Sequence, residues 1–167
     1  PGWFVNHQDY YDSYDRQQPK VYLGEYASRG KDALDNALAE GIHLCNVERN
    51  GDVVEMASYA PLLSKDGYSN WSPDMIYFNN NKVRASQSYE VQKMFSVHAG
   101  DNYVESKLDL PASLRRYVGI SVVKDSKSGK TWLKVVNALP CKLKLKLSGL
   151  SHQEIAIDAR KYNVWPL

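Results

Sequence analysis

Glu25 is the residue in this sequence best placed to do chemistry. It follows a short apolar run, Val21-Tyr22-Leu23-Gly24, read as a buried strand over 21–23 that passes through a glycine into a carboxylate, and a helix-patterned segment begins near Lys31. A carboxylate at the carboxyl end of a strand that feeds a helix is where α/β barrels carry their reacting groups. Position alone favours a plainer role, such as pairing with an arginine, and the neighbours shift that balance. Tyr26, next in the chain, either lines a ligand site or fills the core. Tyr59 falls at the carboxyl end of a second apolar strand, on the same rim as Glu25. Asn70 and Trp71 lie in the loop beyond it, where an indole face can stack on a sugar ring. The alternative is that Tyr59 and Trp71 simply hold that loop onto the rim.

The other carboxylates offer less. Glu48 comes at a helix end, Glu55 inside the second strand, and Asp74 in the Trp71 loop, where capping its own loop is the favoured role. Asp9, Asp12 and Asp15 recur at every third position without the glycine and alternate spacing of a calcium loop, so they read as a solvated helix face. His7, His43, His98 and His152 are scattered, with no pair at metal-ligand spacing. Cys45 and Cys141 match no metal spacing either and read as two buried thiols. No metal and no cofactor is expected.

The elements that position these residues follow from periodicity. A short helix is expected within 3–14, where Phe4, Tyr10 or Tyr11 and Tyr14 can share a face, ending before Pro19. After the 21–23 strand, Leu34, Leu38, Ile42 and Cys45 mark a helix over 31–49. Residues 53–60 form a second strand closed by Pro61, completing a parallel strand-helix-strand crossover. Residues 61–85 read as a long polar loop whose aromatics argue that it is packed. A further helix follows over 88–99, stopped by Gly100.

Beyond residue 101 the pattern changes to strands. Residues 117–123 and 131–138 are joined across Asp125-Ser126-Lys127-Ser128-Gly129-Lys130, a hairpin signal. In 141–147 a strict period of two sets Cys141, Leu143, Leu145 and Leu147 on one face and three lysines on the other. That lysine stripe fits the wet face of an antiparallel sheet better than a polyanion site. Short strands follow at 155–157 and 162–165. The expected architecture is α/β followed by all-β, with 1–100 one unit and 101–167 an antiparallel β-sandwich.

Composition bounds the partners. The chain has 167 residues and a formal net charge of +2, too bland to suggest nucleic acid or an anionic membrane surface. No apolar run is long enough to span a membrane. The aromatics are weighted to 12 Tyr and 4 Trp against 3 Phe, a balance suited to polar ligands such as sugars. The first residue is Pro1, so the chain is expected to be a piece of something longer or a processed product.

Four blocks in order give the chain a family resemblance. They are Lys20-Val21-Tyr22-Leu23-Gly24-Glu25-Tyr26-Ala27; Glu48-Arg49-Asn50-x-Asp52-Val53-Val54-x-Met56-Ala57-Ser58-Tyr59-Ala60-Pro61-Leu62; Asn70-Trp71-Ser72-Pro73-Asp74-Met75-Ile76-Tyr77-Phe78; and Ser88-Tyr89-x-Val91-Gln92-Lys93-Met94-Phe95-Ser96. On these the sequence resembles the α-L-arabinofuranosidases of glycoside hydrolase family 51. The resemblance implies that 1–100 are the last strand-helix units of a (β/α)8 TIM barrel and that 101–167 are the C-terminal β-sandwich.

It further implies a retaining exo-acting enzyme that removes arabinofuranosyl side chains from hemicellulose or pectin oligosaccharides, with Glu25 as nucleophile. Retention requires a second carboxyl about 5 Å away as acid/base. The family carries that residue in an Asn-Glu dipeptide, which does not occur here. The acid/base is therefore expected outside this chain, and the chain alone is expected to be inactive. Tyr59, Asn70, Trp71 and Tyr26 become candidates to bind an arabinose-containing oligo- or polysaccharide. Members of the family are often oligomeric, and a secreted or periplasmic compartment suits such a parent. The competing reading is a non-catalytic carbohydrate-binding or structural β-sandwich module. It fits the second half but does not explain why a Gly-Glu-Tyr strand end, a βαβ unit and a Trp-bearing loop occur together.

Overall fold

A computed structural model describes all 167 residues. The chain opens with helix α1 (Gly2–Asn6) and a run of turns, then enters strand β1 (Val21–Tyr26), helix α2 (Ala33–Arg49) and strand β2 (Val54–Tyr59). β1 and β2 pair in parallel, as the crossover pattern implies. Asp32 starts α2 by accepting the backbone N–H groups of Leu34 and Asp35, satisfying donors that have no partner within the helix. Every α2 residue from Asn36 to Asn46 is buried, polar ones included. Such a helix must be covered all round.

The helix expected over 3–14 stops at Asn6, and the reason is side-chain competition for carbonyls. His7 turns its ring onto the Trp3 carbonyl at 2.7 Å. Arg16 gathers the carbonyls of Tyr11, Asp12 and Tyr14 with one guanidinium nitrogen. Tyr10, Tyr11 and Tyr14 meanwhile pack edge-on or tilted against one another with ring centres 5.0–5.7 Å apart. The polar stretch after Pro61 also differs from expectation. It holds a three-stranded sheet of β3 (Leu63–Lys65), β4 (Ile76–Phe78) and β5 (Val83–Ala85). Strands of three residues are too short for a period of two to be read. Helix α3 (Gln87–Val97) follows, capped by the Ser86 hydroxyl.

Residues beyond 100 form β6 (Asn102–Tyr103), a helical turn α4 (Ala112–Arg115), β7 (Val118–Lys124), β8 (Thr131–Asn137), β9 (Leu143–Lys146), β10 (Glu154–Ile157) and β11 (Lys161–Pro166). The order β11-β8-β7-β6 makes a four-stranded antiparallel sheet, and β9 pairs with β10 as a separate antiparallel pair. Leu143 and Leu145 turn inward with Ile155 and Ile157 onto Val122, Leu133 and Val135, while Lys144 and Lys146 face water. Cys45 is buried as expected, but Cys141 is exposed. The ladder begins at Leu143, so Cys141 precedes the alternation that would have turned it inward.

The layers follow. The β9–β10 pair covers one face of the four-stranded sheet, and α2 and α3 cover the other through Ile42, Val91, Phe95 and Val136. Beyond α2 lies the β1–β2 pair, whose Leu23, Tyr26 and Tyr59 close the same core. Two glycines permit this close approach. A Cβ at Gly119 would stand 3.1 Å from Cys45 Sγ, and one at Gly41 would stand 3.0 Å from Val136 Cγ2. The result is a small α/β domain that is mostly sheet. Two parallel strands are not a barrel.

Candidate active site at the end of the first strand

β1 runs three residues further than the sequence pattern suggests, so Glu25 stands within the strand, one residue from its carboxyl end. Alternation then fixes what each side chain does. Tyr26 is buried on the α2 side and Glu25 is exposed. The loop from Ala27 to Lys31 is held from α2: the Ser28 N–H donates to Glu40 Oε1 at 2.9 Å, and the Ser28 hydroxyl donates to Asn36 Oδ1 at 3.0 Å.

Glu25, Tyr26 and Trp71 meet in one cleft of about 540 Å³, together with Trp3, Arg29 and His43. Trp71, 46 positions after Glu25 in sequence, lines this cleft with Arg29 packed against its ring. The Arg29 guanidinium carbon is 3.5 Å from the centre of the indole. Of the remaining candidates, Tyr59 pairs in register with Tyr26, ring centres 5.8 Å apart, but turns into the core. Its hydroxyl is buried without a hydrogen-bond partner, and burial pushes its pKa up to about 12. Asn70 is exposed and does not line the cleft.

Asp74 does not cap its loop. Its side chain is buried with both oxygens unpartnered, and its backbone N–H donates to the Tyr77 hydroxyl at 2.8 Å. Glu48, expected merely at a helix end, is paired with Lys134 of β8.

Sequence reasoning passed over three residues of the cleft, Trp3, Arg29 and His43. His43 is buried against Phe4, ring centres 4.6 Å apart, and Tyr26, at 5.4 Å, with neither ring nitrogen hydrogen-bonded. Burial alone lowers its pKa to about 4, so the imidazole is neutral. Behind it Glu40 is fully buried, and burial raises its carboxyl to about 7 against the hydrogen bond from Ser28. The Tyr26 phenol is likewise raised by burial and donates to Gln92 Oε1 at 2.5 Å. A signal for Arg29 was present, since a cation four residues after a strand-end carboxylate sits in the same loop. Trp3 carried none.

What the arrangement can do is hold an exposed carboxylate beside aromatic faces and one cation, with apolar walls and a neutral imidazole behind. A carboxylate so placed can act on a polar ligand of sugar size as nucleophile or base. The cleft by itself offers no second exposed carboxylate among its lining residues.

Comparison with known proteins narrows the choice. The sequence model of the α-L-arabinofuranosidase C-terminal domain matches residues 9–164. An extracellular exo-α-L-arabinofuranosidase of Streptomyces chartreusis is 48% identical over 125 residues, which is 72% of this chain and 15% of that protein. α-L-Arabinofuranosidase 1 of Arabidopsis thaliana is 41% identical over 102 residues, 59% of this chain and 15% of that protein. Among solved structures, the arabinose-bound MgGH51 α-L-arabinofuranosidase superposes with a TM-score of 0.78 at 25% identity, over 99% of this chain and 32% of that one. The chain thus spans about 15% of the length of these curated relatives.

Proposed function

The chain belongs to the α-L-arabinofuranosidase C-terminal domain family, and from that premise we propose that it carries the nucleophile of a retaining exo-acting α-L-arabinofuranosidase. The observation that carries this reading is Glu25 itself, exposed near the carboxyl end of a parallel strand in the cleft that holds Trp71. Its substrates are arabinose-bearing oligo- or polysaccharides of the hemicellulose and pectin type.

In this reading residues 1–100 are the last strand-helix units of a (β/α)8 barrel and residues 101–167 a β-sandwich that braces them. The state of β1 and β2 supports it. Parallel strands are normally covered on both faces, yet Tyr22 and Met56 on this pair are 59% and 58% exposed. The outer edges of both strands are also unpaired. Neighbouring strands would cover that face and those edges.

The Glu25 carboxylate attacks the anomeric carbon of the arabinofuranosyl unit, forming an ester as the glycosidic oxygen leaves. A protonated carboxyl about 5 Å away gives that oxygen its proton, then takes one from the water that hydrolyses the ester, which returns the original configuration. That acid/base belongs to a part of the enzyme outside these residues. Tyr26 and Trp71 wall the site, Tyr59 supports it from below, and Asn70 reaches substrate only through movement of its loop.

The test is Glu25→Gln in the enzyme that carries this chain. Turnover of 4-nitrophenyl α-L-arabinofuranoside should fall by at least about a thousandfold with the melting temperature held, since a carboxamide cannot form the ester. Near-normal turnover in that variant overturns the assignment.

A further inference from the structure

Two independent features bear on Arg29. Its guanidinium carbon lies 3.5 Å from the Trp71 ring centre, a contact so close that the planar group must lie nearly flat on the indole. Its backbone is clamped on either side. Ser28 is tied to Glu40 and Asn36, and the Asn36 amide donates to the Gly30 carbonyl at 3.0 Å. A Cβ at position 30 would come within 2.9 Å of Asn36 Oδ1, so the clamp is built around a glycine.

Trp71 is anchored more lightly. Its backbone N–H and carbonyl share the Ser69 hydroxyl at 3.2 Å, and the residue is 45% exposed. The backbone that carries the arginine is therefore the more firmly held of the two.

We propose that Arg29 is a positioning residue that fixes Trp71 as a wall of the Glu25 cleft, one indole face against the guanidinium and the other toward a saccharide ring. The inference rests on the arabinofuranosidase reading of that cleft. Arg29 acts through the indole and takes no part in bond making. Its contribution is to binding in ground and transition states alike, which appears in KM rather than in kcat. A lysine at this position keeps the charge but loses the flat face.

In the enzyme that carries this chain, Arg29→Met and Trp71→Ala should each raise KM for an arabinofuranosyl oligosaccharide by about fivefold, with kcat within about twofold of wild type. The double variant should be no worse than Trp71→Ala alone, because the arginine has nothing left to hold. Arg29→Lys should fail to restore KM. Additive losses in the double variant, or a fall in kcat with KM unchanged, overturn the proposal.

A readout free of activity separates this claim from the assignment of Glu25. With 5-fluorotryptophan incorporated, the fluorine resonance missing in Trp71→Phe identifies Trp71. That resonance should shift and broaden in Arg29→Met, and an unmoved resonance overturns the proposal even where Glu25→Gln is inactive. A moved resonance beside an active Glu25→Gln variant keeps the stack and removes the function built on it, and with that the proposal as stated.

Discussion

Lys134 of β8 donates its ammonium to Glu48 in the last turn of α2, and Ser121 of β7 donates its hydroxyl to the other carboxylate oxygen. The Lys134 side chain is wholly buried and that of Glu48 is 19% exposed. The ammonium also stands 4.9 Å from the centre of the Phe95 ring on α3. Burial outweighs the pull of Lys134 and holds the Glu48 carboxyl above its ordinary range. The helix that follows the candidate nucleophile is thereby pinned to the antiparallel sheet.

Breaking such a pair costs more than the pair contributes, because the surviving charge stays buried. Glu48→Gln or Lys134→Met alone should lose about 3–5 kcal/mol in urea unfolding. The double change Glu48→Leu with Lys134→Met should recover most of that loss. A single variant within about 1 kcal/mol of wild type would show that the pair is solvated in practice.

Glu40 and His43 should contribute to the pH dependence of stability with opposite signs, the raised Glu48 carboxyl acting in the same sense as Glu40. Burial raises the Glu40 carboxyl from 4.5 to about 7. The folded chain therefore keeps a proton that the unfolded chain loses, and the stability this gives is present below pH 4.5 and lost as pH rises toward 7. His43 is lowered from 6.5 to about 4, so its contribution is present above 6.5 and lost as pH falls toward 4. The two oppose each other between 4.5 and 6.5. Across that window Glu40→Gln should shift the slope of stability against pH upward relative to wild type, and His43→Phe should shift it downward. Urea unfolding at a series of pH values reads both slopes, and variants that keep the wild-type slope rule the account out.

Two tyrosines on facing strands should respond differently to loss of their hydroxyls. Tyr26 donates to Gln92, so Tyr26→Phe leaves a buried acceptor unpaired and should cost about 1–3 kcal/mol. The Tyr59 hydroxyl makes no well-formed hydrogen bond and has only the Ser88 hydroxyl near it, so Tyr59→Phe should cost less than Tyr26→Phe. Thermal melts of the two variants decide it, and the reverse order would contradict the hydrogen bonding described here.

If the acid/base lies outside these residues, as proposed, the chain alone should still show whether the half-site forms. A 2,4-dinitrophenyl arabinofuranoside has a leaving group that departs without a proton. Mixing it with the 167-residue chain should release at most one equivalent of dinitrophenol and add one arabinosyl mass to the peptide bearing Glu25. Sustained turnover would mean that a second carboxyl within these residues completes the pair.

Much of this was legible in the sequence, and where it failed the reasons are physical. The three- and four-residue spacing from Leu34 to Cys45 marked α2 because a long buried helix repeats its contacts at the helical period. The alternation from Leu143 marked β9 because one face is wet. The N-terminal segment misled because its aromatics fit a helical face, while Arg16 and His7 take the carbonyls a helix would use. The sheet of β3, β4 and β5 was missed because three-residue strands leave no period to find.

By itself the sequence determined that a carboxylate stands near the end of a strand feeding a helix, and it supplied four ordered blocks that carry the family. Those are local facts, set by the order of residues along the backbone. Only the tertiary structure decided that Arg29 lies beneath Trp71, that His43 sits neutral behind the cleft, and that Lys134 answers Glu48. Each of these joins residues far apart in the chain. A side chain's type states which bonds it can make, but its partner is chosen by tertiary packing, as the close approach of α2 to the sheet at Gly41 and Gly119 brings Glu48 to Lys134.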